Sequence, residues 1–110
     1  MKMLPMNNVD KRYHVIISER AGEALVQHVR FLAQVSAQAA DKLRTDIVEA
    51  AKSLQEFPER GSWLTDPLLL ANKYRKLLVD KRYLLIYQIK DDAVYIDYIV
   101  DCRQDYGWLV

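Results

Sequence analysis

The sequence predicts an α+β domain in the order β-α-α-β-β-β: an N-terminal strand, a helical hairpin, and then a three-stranded antiparallel meander. Three observations predict it. A short β-branched run, "YHVIIS", stands at 13–18. Apolar residues then recur at three- and four-residue spacing from 19 to 57, the period of a helix with one face in a core. Between 73 and 101 come three apolar, tyrosine-containing runs separated by short polar turns, the pattern of hairpin-linked strands.

Residues 1–11, with Pro5, Asn7 and Asn8, carry little periodicity and are read as a flexible arm before a single domain at 12–110. Ser18 closes the first strand and is placed to cap a helix over 19–35, whose stripe is Ala21, Ala24, Leu25, Val29 and Leu32. Ser36 offers a second cap. The following helix, 37–57, has the stripe Ala40, Leu43, Ile47, Ala50, Ala51 and Leu54, and Pro58 ends it. Two amphipathic helices with almost no linker predict an antiparallel pair. The loop from 58 to about 71, with Gly61, Trp63 and "LLLA", is apolar enough to pack on the body.

The strands are "KYRKLLV" (73–79), "RYLLIYQIK" (82–90) and "AVYIDYIVD" (93–101), with turns at Asp80–Lys81 and Asp91–Asp92. The middle one is apolar on both faces, as a central strand requires. The last alternates Val94, Ile96, Tyr98 and Val100 with Tyr95, Asp97, Ile99 and Asp101, predicting one buried and one partly wet face.

At 110 residues, with 51% hydrophobic and 28% charged residues, the chain is ordinary for one globular domain. The N-terminus "MKMLPMNNVDK" lacks the apolar run of a signal peptide, no stretch approaches a membrane span, and Cys102 is the single cysteine. These features predict a cytoplasmic protein without a disulfide. There is no glycine-rich phosphate loop, and His14, His28 and Cys102 lack metal-ligand spacing, so no metal and no cofactor is expected. His28, beside the first helix's stripe, reads as structural. Cys102 reads as packing rather than as a nucleophile.

Two features stand out. The segment 73–82 gathers Lys73, Arg75, Lys76, Lys81 and Arg82 against one acid, Asp80, while the whole chain is only +1. Such a cluster is either a solvated face or a surface for an anionic partner. The ending "DCRQDYGWLV" places Arg103, Asp105, Tyr106 and Trp108 after the last strand, either as a tail docking on the helices or as a working end.

The strand "YHVIIS", the helix end "LQEFPERG", the run "YRKLLVDKRYLLIYQI" and the closing "CRQD" together resemble the RelE/ParE superfamily of toxins from bacterial type II toxin–antitoxin systems. The resemblance covers about residues 13–108. It implies a small antiparallel-dominated sheet wrapped by an N-terminal helical hairpin. It also implies a toxin of plasmid-stabilisation type that arrests growth, and a cognate antitoxin that folds over it in a hetero-oligomer. One branch of the superfamily cuts mRNA on the ribosome; the other inhibits DNA gyrase. On the nuclease pattern Arg75, Arg103 and Tyr106 would be catalytic. Leu84, however, stands where that branch has an arginine after the strand-opening tyrosine, here Tyr83. Ribosome-directed members are also strongly basic, which favours the gyrase-directed, ParE-like branch. Lys73, Arg75, Lys76, Lys81, Arg82, Arg103, Asp105, Tyr106 and Trp108 are then the expected contacts for antitoxin or target. A ribosome-dependent mRNA endonuclease and a non-toxic antitoxin-binding module remain the alternatives.

Overall fold

The computed structural model describes residues 12–65 and 72–103; the arm at 1–11 and the tail from 104 lie outside the described residues. Strand β1 (His14–Ile17) leads into helices α1 (Glu19–Ala33) and α2 (Ala37–Ser53). A two-residue strand β2 (Ser62–Trp63) precedes β3 (Arg75–Val79), β4 (Tyr83–Lys90) and β5 (Ala93–Asp101). The five strands form one sheet in the order β1-β5-β4-β3-β2, with β1 parallel to β5 and all other pairs antiparallel. The α+β class and the meander agree with expectation. The sequence reading has no counterpart for β2, because two residues are too few to show an alternation.

Both predicted serine caps form. Ser18 Oγ accepts the Ala21 N–H at 3.0 Å, and Ser36 Oγ accepts that of Ala39 at 3.1 Å. The second helix ends at Ser53, before the expected 57. Ser53 Oγ donates to the Ala50 carbonyl at 2.6 Å, and the Leu54 and Gln55 amides bond three residues back instead of four. This tightens the last turn and lets the chain leave early.

α1 packs on α2 and β5. The main core combines Ala21 of α1, Leu43, Ile47, Ala51 and Leu54 from α2 and its end, and the inward residues of β3, β4 and β5. Leu84 and Ile86 lie on the other face of β4, in a second cluster with Leu64 and Val100. β4 is thus covered on both faces, as its composition required. His28 is half-buried, with Nε2–H donating to the Ile99 carbonyl at 3.2 Å, and Cys102 packs at the edge of the second cluster; both agree with the packing reading.

The expected alternation of β5 is corrected by a bulge. Ile96 pairs with Tyr87 but Tyr98 pairs with Ile86, so Asp97 is an extra residue. The inward set is therefore Val94 and Ile96, then Ile99 and Asp101, while Tyr98 and Val100 turn outward. A one-residue insertion reverses every face beyond it. Ser18 fastens this bulge to α1, since its hydroxyl also donates to the Asp97 carbonyl at 3.1 Å. Ser18→Ala should cost about 2 kcal/mol and Ser36→Ala about 1 kcal/mol, because Ser18 also holds a second, partly buried group. Urea denaturation of the two variants measures the difference.

Candidate interaction surface

The β3–β4 hairpin carries the predicted basic cluster, and the structure divides it into two ends of different character. Asp80 and Lys81 both hold positive φ, 55° and 59°, as a tight hairpin turn demands. Arg82 follows, and its Nε and Nη2 donate to Oδ1 and Oδ2 of Asp101 at 3.0 and 2.8 Å. Asp101 is only 1% exposed, and its Oδ1 also accepts the Arg103 N–H at 2.9 Å. Burial pushes the Asp101 carboxyl up, but the hydrogen bonds from Arg82 and the Arg103 backbone prevail and hold it below its ordinary value. Lys42 of α2 reaches Asp46 at 2.6 Å and Asp80 at 3.5 Å. The turn end is therefore neutralised. Lys81 lines a shallow cleft there with Leu32, Leu43 and Tyr83.

At the opposite end the cations form no ion pair among the described residues. Arg75 pairs across the sheet with Tyr87 and Trp63, and its guanidinium lies 4.0 Å from the centroid of the Trp63 ring. Its Nη1 donates to the Gly61 carbonyl at 2.8 Å and the Glu59 carbonyl at 3.4 Å. Carbonyls orient the guanidinium without neutralising it. Arg60 donates to Ser53 Oγ at 2.8 Å, Lys73 sits 5.3 Å from the Tyr74 ring, and Lys76 lies on the outer face of β3. Among the described residues, none of Arg60, Lys73, Arg75 or Lys76 is in an ion pair.

Gly61 lets the loop lie directly against the sheet at this corner. Tyr87, fully buried, donates its hydroxyl to the Pro58 carbonyl at 2.7 Å and accepts the Gly61 N–H at 3.0 Å. Burial pushes the Tyr87 hydroxyl pKa up, so it stays protonated to donate that bond. The 58–61 loop is drawn onto the sheet, and Trp63 follows it out to the edge, 41% exposed.

On the outer face the Asp97 bulge organises a polar network. Gln88 donates to the Asp97 carboxylate at 2.7 Å, and burial followed by Asp97 raises the Tyr74 hydroxyl pKa. Tyr74 meets Tyr98 edge-on at 6.4 Å. Arg20 donates to the Tyr98 hydroxyl at 3.1 Å, with its guanidinium 4.4 Å from the ring centroid. Among the described residues, no three of His, Cys, Asp and Glu converge as a metal site.

The predicted site residues thus separate. Arg75 lies opposite Tyr87 and Asp101 opposite Tyr83, roughly 13 Å apart along β4 at strand rise, with Arg103 beyond Asp101. Asp105, Tyr106 and Trp108 lie outside the described residues. Trp63, Lys42, Arg20 and Tyr98 were not predicted. The four-residue spacing of Lys42 and Asp46 signals their pairing. Arg20 and Tyr98, 78 positions apart, leave no local signal.

The family model for the ParE toxin of type II toxin–antitoxin systems matches residues 15–106. No curated protein matches the chain in sequence. Among solved structures, a chain of the chromosomal ParDE toxin–antitoxin system from P. aeruginosa is similar in fold, with a TM-score of 0.65 and 19% identity over 81% of this chain and 95% of that one. No helix among the described residues is long and apolar enough to cross a membrane. With the strand, helical pair and sheet in place and the family match spanning nearly all of them, the chain belongs to the ParE family of type II toxins.

Proposed function

We propose that this toxin acts in the cytoplasm on DNA gyrase and is held inert by a cognate antitoxin. The observation that carries this reading is the position of Arg75. A ribonuclease of this fold must bring cations and a proton acceptor to one phosphate. Arg75 instead spends Nη1 on two backbone carbonyls and its face on Trp63, and Arg103 stands beyond the far end of the strand pair. Arg82, the other guanidinium on the hairpin, is held by Asp101. The cations without an ion pair among the described residues suit binding rather than cleavage, and the family membership supports an antitoxin partner.

The test is induction of the chain alone in a bacterium carrying a DNA-damage reporter, with mRNA integrity followed in the same culture. The expected result is growth arrest, filamentation and reporter induction while mRNA stays intact. Codon-phased mRNA cleavage would overturn this reading in favour of the ribosome-dependent endonuclease. Undisturbed growth would leave a non-toxic antitoxin-binding module.

A further inference from the structure

We propose that residues 104–110 fold back as a strap over the outer face of the sheet, packing Tyr106 and Trp108 against Leu84 and Ile86. The inference is independent of the target on which the toxin acts.

The outer face requires a layer that the described elements do not supply. Ile86 is 0% exposed and Leu84 8%, yet both belong to a cluster separate from the core beneath the helices. The other members of that cluster, Leu64, Tyr74, Tyr98, Val100 and Cys102, lie in the strands or one residue beyond their ends. They flank Ile86 from within the sheet. No described helix residue belongs to the cluster. A side chain on a sheet loses its last exposure when a second layer packs on that face.

The end of β5 delivers the chain to this place. Cys102 and Arg103 form a turn. The Cys102 N–H donates to the Arg82 carbonyl at 2.8 Å, and the Arg103 N–H to Asp101 Oδ1 at 2.9 Å. The Cys102 side chain packs on the outer cluster, so the strap begins beside Val100, the partner of Leu84 across the sheet.

Length and composition fit. Leu78, Leu84 and Val100 form one row across β3, β4 and β5, about 10 Å wide at the usual strand spacing. The segment 104–110 extends to at most about 23 Å, enough to cross the row. Tyr106, Trp108, Leu109 and Val110 bring large apolar surface to an apolar face, and its burial stabilises the fold. The helical side offers less, because the stripes of α1 and α2 are already packed into the main core. A partner that takes the Tyr106 or Trp108 ring must then first lift the strap.

The test reads Trp108 alone, in the full chain carrying Trp63→Phe and Cys102→Ser. A nitroxide, which quenches indole fluorescence at short range, is attached at Leu78→Cys on the outer face or at Val48→Cys on α2; both positions are exposed. The label at 78 should remove most of the Trp108 emission, and the label at 48 should leave it unchanged. In a second measurement, a chain ending at Arg103 should react at Cys102 with an aromatic disulfide reagent about tenfold faster than the full chain. Circular dichroism checks the fold of each variant, and if the shortened chain is unfolded the nitroxide pair decides alone.

Stronger quenching from 48 than from 78 would overturn the proposal in favour of a tail on the helices. Quenching from neither position would overturn it as well. An unchanged Cys102 rate in the folded, shortened chain would do the same, and would assign the covering layer to residues 66–71.

Discussion

Arg82→Met should be the most destabilising single change on the hairpin, at about 4 kcal/mol, and Asp101→Asn should cost markedly less. The two partners are not equally buried: the Asp101 side chain is 1% exposed and that of Arg82 is 20% exposed. Removing Arg82 takes the two-pronged guanidinium away from a carboxylate in the sheet interior that also accepts the Arg103 N–H, and taking the cation from a buried ion pair is the costly change. Removing the charge from Asp101 leaves a guanidinium that can turn toward water, while an asparagine oxygen still accepts the Arg103 N–H. Against a domain stability of about 5–15 kcal/mol, the first change approaches unfolding at growth temperature. The double variant should be less destabilised than the sum of the two singles, since they remove one shared interaction.

The same pair fixes an acid limb. Asp101 has its pKa lowered in the folded state, below the ordinary 3.8. Its stabilising contribution is therefore complete above the unfolded-state value and is lost as pH falls through the lower folded-state one. Asp80 acts in the opposite sense, because burial and then the neighbouring Asp46 raise its pKa. The comparison of wild type with Asp101→Asn isolates the first effect: urea midpoints of the two should converge as pH drops below about 3.8. A gap that stayed constant down to acid pH would remove Asp101 as its source.

The sequence made the fold readable wherever a repeating pattern met a buried surface. Ser18 and Ser36 announce both helices, the stripes of α1 and α2 fill the core, and the two-faced apolarity of β4 marks the centre of the sheet. Legibility failed where one residue changed the pattern. The extra Asp97 reverses the faces of β5, and nothing in "AVYIDYIVD" marks the insertion, since both registers place apolar residues inward. The surface was less readable than the fold. Five cations close in sequence suggested one patch, but their function depends on acids that the fold brings from afar: Asp101 to Arg82, and Asp46 on α2 to the Lys42 that also reaches Asp80. Trp63 sits in a loop without period, and its importance appears only when Arg75 stacks on it. Charge clustering in sequence located the hairpin; ion pairing across the fold distinguishes its two ends.

Gly61→Ala should cost about 2–3 kcal/mol and disturb the β2–β3 corner at the same time. A Cβ at residue 61 would stand 2.6 Å from the Lys76 carbonyl oxygen and 2.6 Å from the Tyr87 hydroxyl. The first neighbour is backbone in a paired strand, and the second is a fully buried ring bonded to Pro58. Neither can yield without loss, so the loop must lift, the usual result of overpacking. The bonds from Tyr87 to Pro58 and from Gly61 to Tyr87 stretch, and with them the Arg75 grip on the Gly61 carbonyl. Tyr87→Phe reaches a related state by deletion: a buried carbonyl and a buried N–H lose their partner, at about 2 kcal/mol. Phenylalanine also removes one of the two nearest atoms crowding the new methyl, though the Tyr87 ring carbon at 3.1 Å remains, so Gly61→Ala/Tyr87→Phe should cost less than the sum of its parts. Urea denaturation gives the energies. Fluorescence of a Trp108→Phe background, in which Trp63 is the remaining indole, reports the corner. Gly61→Ala should shift its emission to longer wavelength, whereas Ser36→Ala, at the N-terminus of α2, should leave it unchanged. An unshifted emission with full loss of stability would mean that the loop lifts without carrying Trp63, and that Arg75 alone holds the indole in place.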